Sequence, residues 1–161
     1  MPKGYSSAQI GLHWIIALLI ALQFLFNEPM GEAFDSVMRG TVPPFSWGVW
    51  AHIAGGVAIL ALVLWRVALR RSRGVPPPPE GEGTLLGRAA SLGHWALYAL
   101  MVLMPVSGLV AWFGGVDTAG EAHEVMSNLM LFVLAVHVAA ALWHQFWLKD
   151  HLLLRMMRAE R

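Results

Sequence analysis

"LAVHVAAALWHQFWLKDH", from Leu134 to His151, has the composition of a lipid-buried helix for most of its length. Yet it holds histidines at 137, 144 and 151, an interval of seven. Seven residues turn an α-helix through about 700°, within about 20° of two full turns. His137 and His144 therefore share one face, and His123, fourteen residues before His137, joins them. His151 lies beside Lys149 and Asp150, in the wet interface. Ionisable groups at membrane depth are costly and by default mark functional sites.

The rest of the chain fits this reading. It has 161 residues, 57% hydrophobic and only 13% charged, against about 25% charged in a soluble domain. The apolar residues fall into four runs, roughly 8–27, 47–70, 90–114 and 124–148. Each meets the requirement of about 20 apolar residues for a span. The sequence predicts an all-α, four-helix transmembrane bundle forming one domain over residues 1–161. The first run reads as a retained span, because no small-x-small cleavage site follows it. No cysteine is present. That removes disulfides, thiolate metal sites, iron–sulfur clusters and covalent haem attachment.

Charge sets the orientation. Of the eleven Lys and Arg, only Arg39 falls on the side opposite the termini. The positive-inside rule predicts both termini in the cytoplasm. Glu28, Glu32, Asp35, Asp117, Glu121 and Glu124 make the outer side acidic. "GVPPPPEGEG" (Gly74–Gly83) reads as a stiff cytoplasmic connector. No nucleic-acid partner is expected; the lipid bilayer is.

The seven histidines then separate by depth. His52 and His123 lie toward the outside. His13, His94, His137 and His144 lie toward the inside. A lone intramembrane histidine often only hydrogen-bonds a neighbouring helix, and most of the tryptophans suit an interfacial belt. Histidines near an end of every span are too many for packing alone. Two histidines from opposite helices can fill both axial positions of a haem iron in a bundle core. Zinc held by the same histidines is a competing reading. By depth, His94 with His144 is as good an inner pair as His13 with His137. Gly55 and Gly56, just past His52, leave room for a flat ring. Arg66 is fourteen residues after His52, on the same helix face about 21 Å further in. There it can meet an anionic propionate.

Several stretches carry a family resemblance. They are "YSSAQIGLHW" (Tyr5–Trp14), "HIAGGVAILALVLWR" (His52–Arg66), "LGHWALY" (Leu92–Tyr98), "MPVSGLV" (Met104–Val110) and "HEVMSN" (His123–Asn128), followed by His137, His144 and the Lys149–Asp150 pair. In order and spacing they resemble the bacterial cytochrome b561 family, and within it the superoxide oxidases. The resemblance implies two non-covalent b haems in a bacterial inner-membrane protein. It assigns His52 and His123 to the outer haem, and His13 and His137 to the inner one. It implies ubiquinone near His94 and His144. The helix face that Arg66 shares with His52 predicts Arg66 near a haem propionate or the quinone. The resemblance also implies an oxidoreductase carrying electrons from an outer donor, superoxide or another small redox donor, to ubiquinone. The alternative is an electron-carrying membrane subunit serving a partner redox protein. Two features depart from the pattern: "GGVDTAGEA" (Gly114–Ala122) makes a short outer loop, and the outer face is acidic where a superoxide-collecting face should be basic.

Overall fold

A computed structural model describes residues 4–26, 29–77 and 84–159. Lys3, Glu28, Arg161 and most of the polyproline connector lie outside the described residues. The described chain is helical: α1 (Ser7–Leu25), α2 (Met30–Met38), α3 (Trp47–Arg73), α4 (Thr84–Gly114) and α5 (Asp117–Trp143). Four of these are long and apolar enough to cross a membrane, the last continuing to Leu148.

Local chemistry fixes the ends. Ser6 caps α1: its Oγ accepts the Gln9 N–H, and the Gln9 side chain accepts the Ser6 N–H. This reciprocal pair satisfies two donors that a helix start leaves unpaired. Gln9 is buried, and its Nε2 also donates to the Gly74 carbonyl at 3.1 Å. The start of α1 is thereby tied to the end of α3. Gly74 has φ of 77°, a left-handed conformation that glycine adopts without steric cost.

Three features differ from the sequence expectation. The third span begins at Thr84 rather than near residue 90, and the fourth span, α5, begins at Asp117 rather than Glu124. Only Gly115 and Val116 separate α4 from α5. Hydropathy marks where lipid begins, whereas these helices run on into the polar region. Asp117 in the first turn of α5 suits the positive end of the helix dipole. The third difference is α2, a short helix between the first two spans.

The spans pack in chain order, α1 on α3, α3 on α4 and α4 on α5, with α2 laid on α3. Ile16, Ile20, Ile59, Val63 and Tyr98 form the central core. Leu97, Leu100 and Met130 form a second cluster between α4 and α5. Leu18, Trp65, Leu103 and Phe132 point outward, as side chains facing lipid do.

After Trp143 the chain stops being an α-helix. His144–Leu148 forms a π-turn, and Lys149 and His151 adopt left-handed φ of 54° and 60°. A short strap, Leu152–Met156, follows as a 3₁₀ turn. It folds back beneath the bundle. Trp14 Nε1 donates to the Met156 carbonyl at 2.7 Å, and Arg155 donates to the Pro77 carbonyl at 2.7 Å.

Candidate functional site: histidine pairs at two levels

At the acidic end, His52 on α3 faces His123 on α5. Their ring centroids are 6.2 Å apart and the planes cross at 66°. A metal–imidazole bond of about 2 Å, plus half a ring on each side, puts two axial histidines roughly 6 Å apart, centre to centre. Both rings may rotate about that axis, so the crossing angle is free. The pair lines a cavity of about 430 Å³ between α1, α3, α4 and α5, with Met30 and Phe34 of α2 also in its lining. That volume lies within the range of small-molecule and cofactor sites, about 300–1,000 Å³.

Each histidine is set by its neighbours. His123 Nδ1 lies 2.8 Å from the Met104 carbonyl. A carbonyl only accepts, so Nδ1 carries the proton and Nε2 keeps its lone pair. This is the arrangement that prepares a metal-ligating imidazole. Gly108 allows the approach, since a Cβ there would sit 3.1 Å from both Cε1 and Nδ1 of His123. The His52 carbonyl accepts Gln23 Nε2 at 2.8 Å, while His52 Nδ1 is buried with no partner among the described residues. The glycine pair divides its work. Gly55 makes way for Gln23, whose Nε2 is 2.8 Å from the position of an added Cβ, and Gly56 lines the cavity. The residues present fit a flat group held between His52 and His123.

At the basic end three histidines meet. His13 and His137 have ring centroids 6.4 Å apart, again the axial separation. His94 is closer to His137, at 5.4 Å. It is the exposed member of the trio, whereas His13 and His137 are half-buried. Arg66 reaches across this level. Its Nε donates to the Tyr98 hydroxyl at 3.2 Å, and its terminal nitrogen donates to the Gln9 carbonyl. Arg70 stands over the Trp95 ring at 5.7 Å.

The two residues that the sequence reading grouped have different neighbours. His94 packs on His137, while His144 pairs with Asp150, Nδ1 to Oδ2, at 2.5 Å. The other Asp150 oxygen accepts the Leu152 N–H at 3.1 Å. Partial burial works to raise the Asp150 pKa. The hydrogen bonds from His144 and Leu152 outweigh it and hold the carboxyl below the usual carboxylate range. Gln23 and Gly120 carry no role in the sequence reading, and Met104 and Asp150 stand there only within the stretches that carry the resemblance. Among the described residues, no three His, Cys, Asp or Glu converge closely enough to hold one metal ion, so the three inner histidines lie near one another without forming a three-ligand zinc site.

A bundle of apolar helices with opposed histidine pairs, one pair in a cofactor-sized cavity, defines a membrane cytochrome. The pattern described as "Prokaryotic cytochrome b561" matches residues 4–159, and the chain belongs to that family. It is 41% identical over 156 residues to "Cytochrome b562" of Cereibacter sphaeroides, with 96% of each chain covered. It is 30% identical over 182 aligned positions to "Probable superoxide oxidase CybB" of Yersinia pestis, covering 100% of this chain and 99% of that one. It is 29% identical over 183 positions to "Cytochrome b561 homolog 1" of Escherichia coli, covering 95% and 96%. The protein is therefore a haem-b-binding, multi-pass bacterial membrane protein of electron transport.

Proposed function

We propose that this cytochrome holds two non-covalent b haems, one between His52 and His123 and the other between His13 and His137. In this reading it passes electrons from a donor on the acidic, periplasmic side to ubiquinone near the basic, cytoplasmic side of the bacterial inner membrane. The haems supply outer-sphere, one-electron transfer when bound. The observation that carries the reading is the recurrence of one separation, 6.2 and 6.4 Å, at two depths. His123 and His137 are fourteen residues apart on α5, about 21 Å along the helix.

The side chains have distinct tasks. Gln23 and Met104 steady the outer pair through hydrogen bonds. Met30 and Phe34 shield it from water. Arg66 brings a positive charge to the inner level, where it neutralises a propionate or holds a quinone oxygen. His94 and His144, at the basic end, serve the quinone and its protons. Superoxide as donor is supported by the likeness to the probable superoxide oxidase of Yersinia pestis.

A second reading is favoured by length. The alignment with the Yersinia relative runs over 182 positions, longer than the 161 residues of this chain. The alignment with the Cereibacter cytochrome needs only 156. The Yersinia relative thus carries insertions that this chain lacks. With Glu32, Asp35, Asp117, Glu121 and Glu124 at the acidic end, a basic partner redox protein would suit it as donor.

One experiment separates the two. Purified protein with two haems per chain is rapidly mixed with superoxide, with and without a short-chain ubiquinone. Fast haem reduction followed by quinone-dependent reoxidation supports the first reading. Haem reduction no faster than for a free b-type haem supports the partner protein.

A further inference from the structure

The π-turn at the end of α5 ends on a feature that electron transfer alone does not explain. His144 and Asp150 form a close pair, and each is held on its far side. Asp150 receives the Leu152 N–H, and the His144 carbonyl receives the Lys149 N–H that closes the π-turn. The residues on either side of Asp150, Lys149 and His151, both occupy the left-handed region. Non-glycine residues do so at a steric cost. The chain accepts an irregular turn and two unfavourable residues, and the result is a carboxylate beneath an imidazole. Both side chains are largely but not fully covered, 17% and 23% exposed.

We propose that Asp150 is a positioning residue that holds His144 as the proton donor to a quinone carbonyl, and that this pair admits protons from water at the basic end of the bundle. The proposal rests on the quinone reading above. An ionised Asp150 accepts Nδ1–H, so Nε2 is the atom left to exchange protons. It also stabilises the imidazolium, as a carboxylate does for a general acid. Quinone takes two electrons from the cytochrome and two protons to become quinol. One proton comes from His144: its Nε2–H bond breaks and an O–H bond forms on the facing carbonyl oxygen, while the opposite carbonyl oxygen takes the second proton from water. Water then returns a proton to Nε2, while Nδ1–H stays on Asp150. Other groups bear on the pair: Arg155 from the strap and Lys149 beside it. Arg155 is itself engaged with the Pro77 carbonyl, so the nearest charge partner of Asp150 is His144.

The competing role is a latch that merely closes the π-turn. To decide, dithionite-reduced protein is mixed with a short-chain ubiquinone, which needs protons, or with ferricyanide, which needs none. Asp150→Asn should lower the maximal rate of reoxidation by ubiquinone at least about tenfold. The KM for the quinone should barely move, and the ferricyanide rate should be unchanged. Asp150→Glu should recover much of the loss, and His144→Ala should be no slower when Asp150→Asn is added. Equal loss with both oxidants would reduce Asp150 to a latch. A normal ubiquinone rate in Asp150→Asn beside a slow His144→Ala would overturn the relay and leave the quinone site standing. A normal rate in His144→Ala would overturn the quinone site itself. Haem content reports folding. If Asp150→Asn loses haem, the wild-type solvent deuterium effect decides: slowing in D₂O with ubiquinone but not ferricyanide supports the relay, and no difference overturns it.

Discussion

His94 lies closer to His137 than His13 does, with rings 5.4 Å apart against 6.4 Å. Proximity here argues against His94 as the axial partner, because an iron between two imidazoles needs roughly 6 Å. The crossing angles, 73° for His94 and 64° for His13, do not distinguish the two. The expected result is that His13→Ala lowers the haem-to-protein ratio from two to one, while His94→Phe keeps two. Measured ratios the other way round would make His94 the inner ligand.

The outer site gives a steric test. A Cβ on Gly108 would meet Nδ1 and Cε1 of His123 at 3.1 Å. Alanine there asks the ring to shift by a few tenths of an ångström. Leucine forces it away and breaks its bond to the Met104 carbonyl, a loss of about 1 kcal/mol in itself. Gly108→Leu should therefore lose the outer haem and keep the inner one. A redox titration would then show one b-type component in place of two. Two unaltered components would mean that His123 does not depend on this contact.

Much of this arrangement is legible in the chain, for identifiable reasons. Twenty-residue apolar runs locate spans because lipid admits few alternatives. The depth of each histidine follows from counting residues along a helix. Pairing does not, since depth is one coordinate and the neighbour across the bundle needs two more. His94 and His13 are equivalent by depth, and only their distances from His137, 5.4 and 6.4 Å, tell them apart. The short helix α2 carries Met30, Ala33, Phe34 and Val37 at helical spacing. That signal is readable but short, inside a loop rich in glycine and proline. Asp150 was beyond reach, because its contact with His144 depends on a π-turn and on two left-handed residues that no periodicity announces.

Gly120 of α5 sets how closely Phe34 of α2 can approach. A Cβ on Gly120 would stand 2.6 Å from Phe34 Cε1 and 2.7 Å from Cζ. Gly120→Val should push Phe34 and α2 off α5, with an overpacking cost of about 1–3 kcal/mol. At roughly 2–4 °C per kcal/mol for a chain of this size, the loss of haem absorbance on heating should come several degrees earlier. Phe34→Ala in the same chain should restore part of the difference. An unchanged midpoint in Gly120→Val would show that α2 is not seated there in the membrane.

Arg66 carries the last prediction. It bonds Tyr98 on α4 and the Gln9 carbonyl on α1, so one side chain of α3 joins three spans beside His13. In lipid such a cation is kept only where partners and function justify it. A positive charge favours the electron-rich state of a nearby redox centre. Its removal should make the inner haem harder to reduce, by tens of millivolts, on the order of 1 kcal/mol. Arg66→Leu is expected to keep two haems and to lower only the inner midpoint potential. Arg66→Lys should hold the potential better, yet lose the fork that reaches Tyr98 and Gln9 together. Tyr98→Phe isolates the hydrogen bond and should change the potential least. Spectroelectrochemical titration of the three variants checks the order. Identical inner potentials in Arg66→Leu and wild type would return Arg66 to the plain role of an interface anchor.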